Sequence, residues 1–222
     1  FSGETATMSN VRNPFPLVRW SSGPMTRLLL LTPLSANAVT ALALASGAGA
    51  LFLLADADAH MRDIGALLFL VSYVLDNCDG EIARARGQCS DFGRRFDTFV
   101  DWFVNSAVFV AIGIGAAERF ESVLWFWLGV VAASGGTVNY LLSLRNIETG
   151  GENAGDTQAP TPSGAKEWAV FILRELFRAD FCFIVLALTL VDMLWLLLPA
   201  AAVGAHAYWL AGLVKGARRF RV

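Results

Sequence analysis

Asp76, Asp79, Asp97 and Asp101 are the residues best suited to chemistry, four carboxylates spaced three and four apart in two pairs between long apolar runs. On an α-helix, positions three and four apart share a face. Asp76, Asp79, Gly80, Ala83 and Arg84 therefore line one side of one helix, and Gly93, Asp97 and Asp101 one side of the next. A carboxylate at the centre of a membrane helix costs up to about 3 kcal/mol on insertion scales, and less near the ends. Four together require positive charge nearby. The nearby arginines and divalent metal are the two candidates. Arg84 alone shares the acidic face, and one guanidinium does not neutralise four carboxylates. Hard divalent cations such as Mg²⁺ take carboxylate oxygens together with substrate phosphates. Two such ions would balance the charge and leave positions open for a diphosphate. The small residues Gly80, Ala83 and Gly93 leave room for a substrate near the backbone. An EF-hand does not fit "DNCDGE", because its third position is Cys78 rather than Asp or Asn.

The chain that positions these residues has the composition of a membrane protein. Of 222 residues, 55% are apolar and 16% charged, with mean hydropathy +0.53, whereas soluble domains carry about 25% charged residues. A helix needs about 20 mostly apolar residues to cross the hydrocarbon layer. Six segments are expected, at about 36–55, 64–84, 92–116, 122–144, 168–191 and 193–214; Arg174, Glu175, Arg178 and Asp180 interrupt the fifth. No internal repeat is visible, so 35–222 reads as one all-α, six-helix transmembrane catalytic domain. Residues 14–34 read as a juxtamembrane amphipathic helix lying in the interface, with Trp20, Leu28, Leu29 and Leu30 beside Arg19 and Arg27. Residues 1–13 read as a disordered N-terminus or tag remnant, with Met8 as the natural start, and 148–166 as a polar loop rich in Gly and Pro.

The connection at about 85–92 is short, which predicts that the second and third spans are antiparallel neighbours whose four aspartates face one another. Glu81 and Asp91 lie off the shared faces and are expected in solvent; Cys78 is expected to pack, and Trp125 and Trp127 to face lipid or lie at the interface. Lysine and arginine favour the cytoplasmic side. That side would hold both termini, the 84–95 connection and the polar loop, while Arg62 and Arg119 remain opposite. Cys78, Cys89 and Cys182 are odd in number and, like His60 and His206, lack ligand spacing, so neither a disulfide framework nor a zinc site is indicated. No nucleic-acid partner is expected.

The pattern Asp76-x2-Asp79-Gly80-x2-Ala83-Arg84-x8-Gly93-x3-Asp97-x3-Asp101 matches every fixed position of the signature of the CDP-alcohol phosphotransferases. The chain resembles that family. The resemblance implies six transmembrane helices, an interfacial N-terminal helix, a polar cavity open to the cytoplasm, and a homodimer. It also implies a reaction in which an acceptor alcohol attacks the β-phosphate of a CDP-alcohol, forming a phosphodiester and releasing CMP. Asp76, Asp79 and Asp97 carry over as ligands of two Mg²⁺ or Mn²⁺ ions, and Asp101 as general base and further ligand. Gly80, Ala83, Arg84 and Gly93 would shape the CDP-alcohol pocket. "TPLSANAVT" is similar to the family's Pro-Asn-x-x-Thr segment, loosened by an insertion after Pro33, so Asn37 and Thr40 become donor contacts.

Within the family, "DTFVDW" differs from the Asp-Pro-x-Ala-Asp-Lys of phosphatidylglycerophosphate synthases and the Asp-Ser-x-x-Asp of phosphatidylserine synthases. "LDNCDGEIAR" with "FGRRFDTFVD" looks more like the di-myo-inositol phosphate phosphate synthase branch, departing from it at Asn77 and Trp102. An anionic acceptor of that kind needs cations, for which Arg145, Lys166, Arg174 and Arg178 lie on the expected side. The competing reading is a cation-coupled transporter, since intramembrane aspartates also mark ion pathways. Transporters are commonly built from repeats with sites at the midplane; here the acidic cluster sits toward one surface. A silent scaffold is a third reading, against which every signature aspartate is present.

Overall fold

A computed structural model describes residues 17–148, 180–204 and 206, and the statements below concern those residues. They form an all-helical structure: α1 (Val18–Leu30), α2 (Ala36–Leu54), α3 (Ala59–Arg86), α4 (Asp91–Arg119), α5 (Val123–Glu148) and α6 (Phe181–Leu190). A 3₁₀ turn, Leu194–Leu196, then opens the last apolar helix, Leu194–Gly204. Two of these, Ala36–Leu54 and Asp91–Arg119, are long and apolar enough by themselves to cross a membrane.

Local chemistry explains where the helices begin and end. Ser35 caps α2 by accepting the Ala38 N–H, and Ser90 caps α4 by accepting the Gly93 N–H at 3.0 Å. α3 starts five residues before the expected 64, because Asp58 accepts the N–H groups of His60 and Met61. The polar run that looked like loop is a capped first turn. Gly87 ends α3 in the left-handed region (φ 64°), a conformation that costs glycine nothing. Of the expected fifth segment, 180–191 is described: Asp180 is non-helical (φ −116°), and α6 follows it.

The packing refines one expectation. α3 and α4 meet through side chains, with Tyr73 donating to Asn105 Oδ1 and Asp76 beside Asp97 and Asp101. Their backbones make little direct contact; α2 packs against both. Its buried stripe is Ala36, Val39, Thr40, Ala43, Gly47, Ala50 and Leu54, nearly all small. At its middle, a Cβ on Gly47 would stand 2.7 Å from a Val104 methyl on α4 and 3.0 Å from Ser72 Oγ on α3. Ser72 Oγ also donates to the Ala43 carbonyl at 2.8 Å. Small residues that let backbones approach are the usual adhesive between membrane helices, where lipid is as apolar as any side chain. Around this contact, Leu54, Phe69, Val108, Val185 and Leu198 form a fully buried core.

α1 lies on α3, with Val18, Ser22 and Thr26 buried and Trp20, Leu28 and Leu31 exposed, so its amphipathicity is real. Distant charges hold both its ends. The fully buried Asp180 carboxylate accepts the N–H groups of Leu17 and Val18 at 2.8 and 2.9 Å, and the Arg86 guanidinium donates to carbonyls at the C-terminal end. A carboxylate at the N-terminus and a cation at the C-terminus suit the helix dipole. Asp180→Ala leaves two buried donors unpaired, which is expected to cost about 2 kcal/mol or more. A lower melting temperature in detergent, with Asp180→Asn falling between, checks this; an unchanged melting temperature would refute it. Glu81 is half-buried rather than solvated, because Ser22 Oγ of α1 donates to it at 3.1 Å.

At the opposite end of the bundle, Asp192 receives Arg62 at 2.9 Å and Arg119. The Arg119 hydrogen bonds hold the Asp192 carboxyl below the ordinary carboxylate range. Trp127 is exposed as expected, whereas Trp125 is half-buried, packed edge-on against Trp195 at 5.4 Å and beside Phe120.

Candidate active site

Asp76 comes from α3, and Asp97 and Asp101 from one face of α4. One carboxylate oxygen from each lies within 4.8 Å of the others. Asp76 and Asp97 are half-buried and Asp101 is exposed. The fourth aspartate stands apart. Asp79 is 5% exposed and accepts a hydrogen bond from Thr40 Oγ1 of α2 at 2.5 Å. The expected face-to-face set of four therefore resolves into a trio and a neighbour, with the Asp79 carboxylate held by the Thr40 hydroxyl of α2.

Beside the trio is a cavity of about 700 Å³. Its wall includes all six residues expected to form a donor pocket: Asn37 and Thr40 from α2, Gly80, Ala83 and Arg84 from α3, and Gly93 from α4. Asp79 and Asp97 line it as well. Asp97 thus belongs both to the cavity and to the trio and joins them. Gly93 is where α4 comes closest to α2: a Cβ there would lie 3.0 Å from Asn37 Oδ1. Arg84 is exposed and crosses over Gly80, where an added Cβ would lie 3.3 Å from a guanidinium nitrogen. Among the described residues, Arg84 makes no ion pair and Glu81 is engaged by Ser22, so Arg84 is available to an anion in the cavity. Asp91 is exposed as expected and pairs with Arg94 at 2.8 Å on the cavity's rim.

The donor set suits a hard divalent ion. The trio offers carboxylate oxygens alone, the ligands that Mg²⁺ and Mn²⁺ prefer over thiolate and imidazole. Cys78, although between two aspartates, is fully buried, and its thiol points to the Ser22 carbonyl of α1 at 3.6 Å. It packs, as expected. Sequence reasoning missed Gln88, which lines the cavity and accepts the Ala36 N–H at 3.0 Å. No spacing rule marks a single glutamine in a connection. Of the expected acceptor cations, Arg145 has its backbone in α5, but its side chain, together with Lys166, Arg174 and Arg178, lies outside the described residues.

Comparison with known proteins now bears on this arrangement. The family model for CDP-alcohol phosphatidyltransferase matches residues 33–214. The chain belongs to this family. Over 94 residues it is 40% identical to the bifunctional IPC transferase and DIPP synthase of Rubrobacter xylanophilus, a stretch covering 42% of this chain and 21% of that relative. The chain spans about a fifth of the relative's length. In fold it is similar to the crystal structure of Mycobacterium tuberculosis phosphatidylinositol phosphate synthase with CDP-DAG bound. The TM-score is 0.54 at 24% identity, covering 84% of this chain and 90% of that one. This member of the CDP-alcohol phosphatidyltransferase family is an integral membrane protein, and a transporter reading finds no support in its relatives.

Proposed function

We propose that this protein moves a phosphoalcohol group from a CDP-alcohol to the hydroxyl of an acceptor alcohol and releases CMP. The observation that carries the reading is Asp97, shared between a three-carboxylate cluster and a cavity with room for a nucleotide. Asn37, Thr40, Gly80, Ala83 and Gly93 bind the cytidine diphosphate by close approach, and Arg84 meets its negative charge. Asp76, Asp79, Asp97 and Asp101 hold two divalent ions, Mg²⁺ or Mn²⁺. When bound, these neutralise the diphosphate and stabilise the leaving phosphate.

Asp101, the exposed member of the trio, takes the proton of the incoming hydroxyl. The hydroxyl oxygen forms a bond to the β-phosphorus while the bond from that phosphorus to the bridging oxygen breaks. CMP leaves with the bridging oxygen and its electron pair. Holding donor and acceptor in line beside Asp101 turns a bimolecular encounter into a local one.

The acceptor is an inositol phosphate or a similarly anionic alcohol. Support comes from the Asp-Thr-x-x-Asp and Cys-Asp-Gly-Glu detail of the signature and from the 40% identity to the DIPP synthase relative. Arg145, Lys166, Arg174 and Arg178 are the cations assigned to it. We further assign six membrane spans, a homodimer, and a cytoplasmic site with both termini on that side. Hydropathy supports the spans, and the uneven placement of lysine and arginine, with only Arg62 and Arg119 opposite, supports the orientation; the homodimer rests on the family resemblance alone.

Purified protein with Mg²⁺ and a panel of CDP-alcohols and acceptors tests the reading by CMP release. Release that depends on both substrates is expected. No release from any pair, together with cation uptake by vesicles containing the protein, would replace it with the transporter reading.

A further inference from the structure

The strongest unassigned feature lies beside the cavity, where the end of α3 and the connection after it grip the end of α1 and its linker to α2. The Arg86 guanidinium donates to the carbonyl oxygens of Leu30 at 3.0 Å, Thr32 at 2.6 Å and Leu29 at 3.4 Å, and also to that of Leu34. Two residues on, Gln88 Oε1 accepts the N–H of Ala36, the first residue of α2. Neither residue is a fixed position of the aspartate signature. Immediately beyond Ala36 come Asn37 and Thr40, which form the α2 wall of the cavity.

We propose that Arg86 and Gln88 are positioning residues that set the first turn of α2, and with it the donor-binding wall, against Gly93 and Asp79. The proposal rests on the reading of the cavity as the CDP-alcohol site. The first N–H groups of a helix have no partner within it. Here Ser35 takes the Ala38 N–H and Gln88 takes the Ala36 N–H, so a residue 52 positions away adds to the cap. Arg86 fixes the segment that leads into it. A guanidinium presents five donors in a rigid fork, and a lysine ammonium does not reproduce that reach. The tolerance is narrow, because the wall already stands 3.0 Å from a methyl-sized addition at Gly93 and bonds to Asp79 through Thr40. Displacements below an ångström at such a wall alter how a bound donor presents its phosphate.

Gln88→Met, Gln88→Glu and Arg86→Lys in the full chain test this, with two readouts. The first is amide hydrogen exchange over 36–40, and the second is the donor KM and kcat of CMP release. Gln88→Met removes the acceptor, and exchange over 36–40 should rise about fivefold, the scale of one net hydrogen bond. The donor KM should rise by a similar factor while kcat stays within about twofold. Gln88→Glu keeps an acceptor, so exchange over 36–40 should remain near wild type, while its added charge in the cavity wall raises the donor KM by repelling the anionic donor. Arg86→Lys should fall between wild type and Gln88→Met; should that variant fail to fold, the Gln88 pair decides. If Gln88 instead acted by touching the donor, Gln88→Met would raise the donor KM while exchange over 36–40 stayed at the wild-type rate. That result overturns the proposal. A wild type that releases no CMP from any donor refutes the functional reading instead, and the exchange of Gln88→Met still judges the positioning role.

Discussion

Excess chelator is expected to abolish CMP release, by at least about 10³-fold, and Mg²⁺ or Mn²⁺ to restore it. The motivation is three carboxylates with oxygens within 4.8 Å of one another, and a fourth one turn away that accepts a hydrogen bond from the Thr40 hydroxyl. Among the described residues no lysine or arginine pairs with any of the four. Such a group repels itself, and in a low-dielectric setting the repulsion is several times what it would be in water. A divalent ion removes that repulsion and supplies several kcal/mol of stabilisation to developing phosphate charge. Each 1.4 kcal/mol is a factor of about ten in rate. Ca²⁺, which takes a looser and larger shell, should bind without restoring full rate. Full activity in excess chelator would refute the metal assignment.

Asp101→Asn is expected to lower turnover by about 10²-fold or more while CDP-alcohol binding remains substantial. The amide keeps the size and polarity of the side chain but accepts no proton at neutral pH, and a positioned base contributes about 10²–10⁴-fold. Asp79→Asn should behave differently. Its carboxylate lines the cavity and holds Thr40, so its loss should weaken donor binding as well as rate. Calorimetric titration of each variant with a CDP-alcohol, set beside its CMP release, separates the two roles. Normal turnover by Asp101→Asn would move the base elsewhere. Loss of binding by Asp101→Asn would make it chiefly a metal ligand, and the hydroxyl proton would then pass to water or another carboxylate.

Much of this was legible in the chain because helical periodicity is short-ranged. The face shared by Asp97 and Asp101 and the small residues at 80, 83 and 93 follow from positions three or four apart, and the starts of α2 and α4 from the onset of apolar runs. The resemblance to the family supplied Asn37 and Thr40, and both line the cavity. What could not be read was which helices pack backbone to backbone. A short connection suggested close α3–α4 packing, and the two do meet through side chains, yet it is α2, with a smooth small-residue stripe, that packs closely on both. For the same reason Asp180 looked like an interruption of an apolar segment. Its partners are backbone N–H groups 162 and 163 residues away, which carry no side-chain signal. Gln88 escaped notice because its partner too is a backbone N–H.

The place of α2 has a mechanical meaning. Gly47 touches α3 at Ser72 and α4 at Val104, each about one helical turn deeper than Asp76 and Asp101 respectively. The helix acts as a shim whose thickness fixes the bite of the jaws above it. Glycine makes it as thin as a helix can be, and the jaws meet only because it is thin. The reach of a carboxylate side chain is constant, so the gauge of the site is written in a residue that never touches the substrate. A bulkier residue there would wedge the jaws open from below, leaving every aspartate in place and out of range.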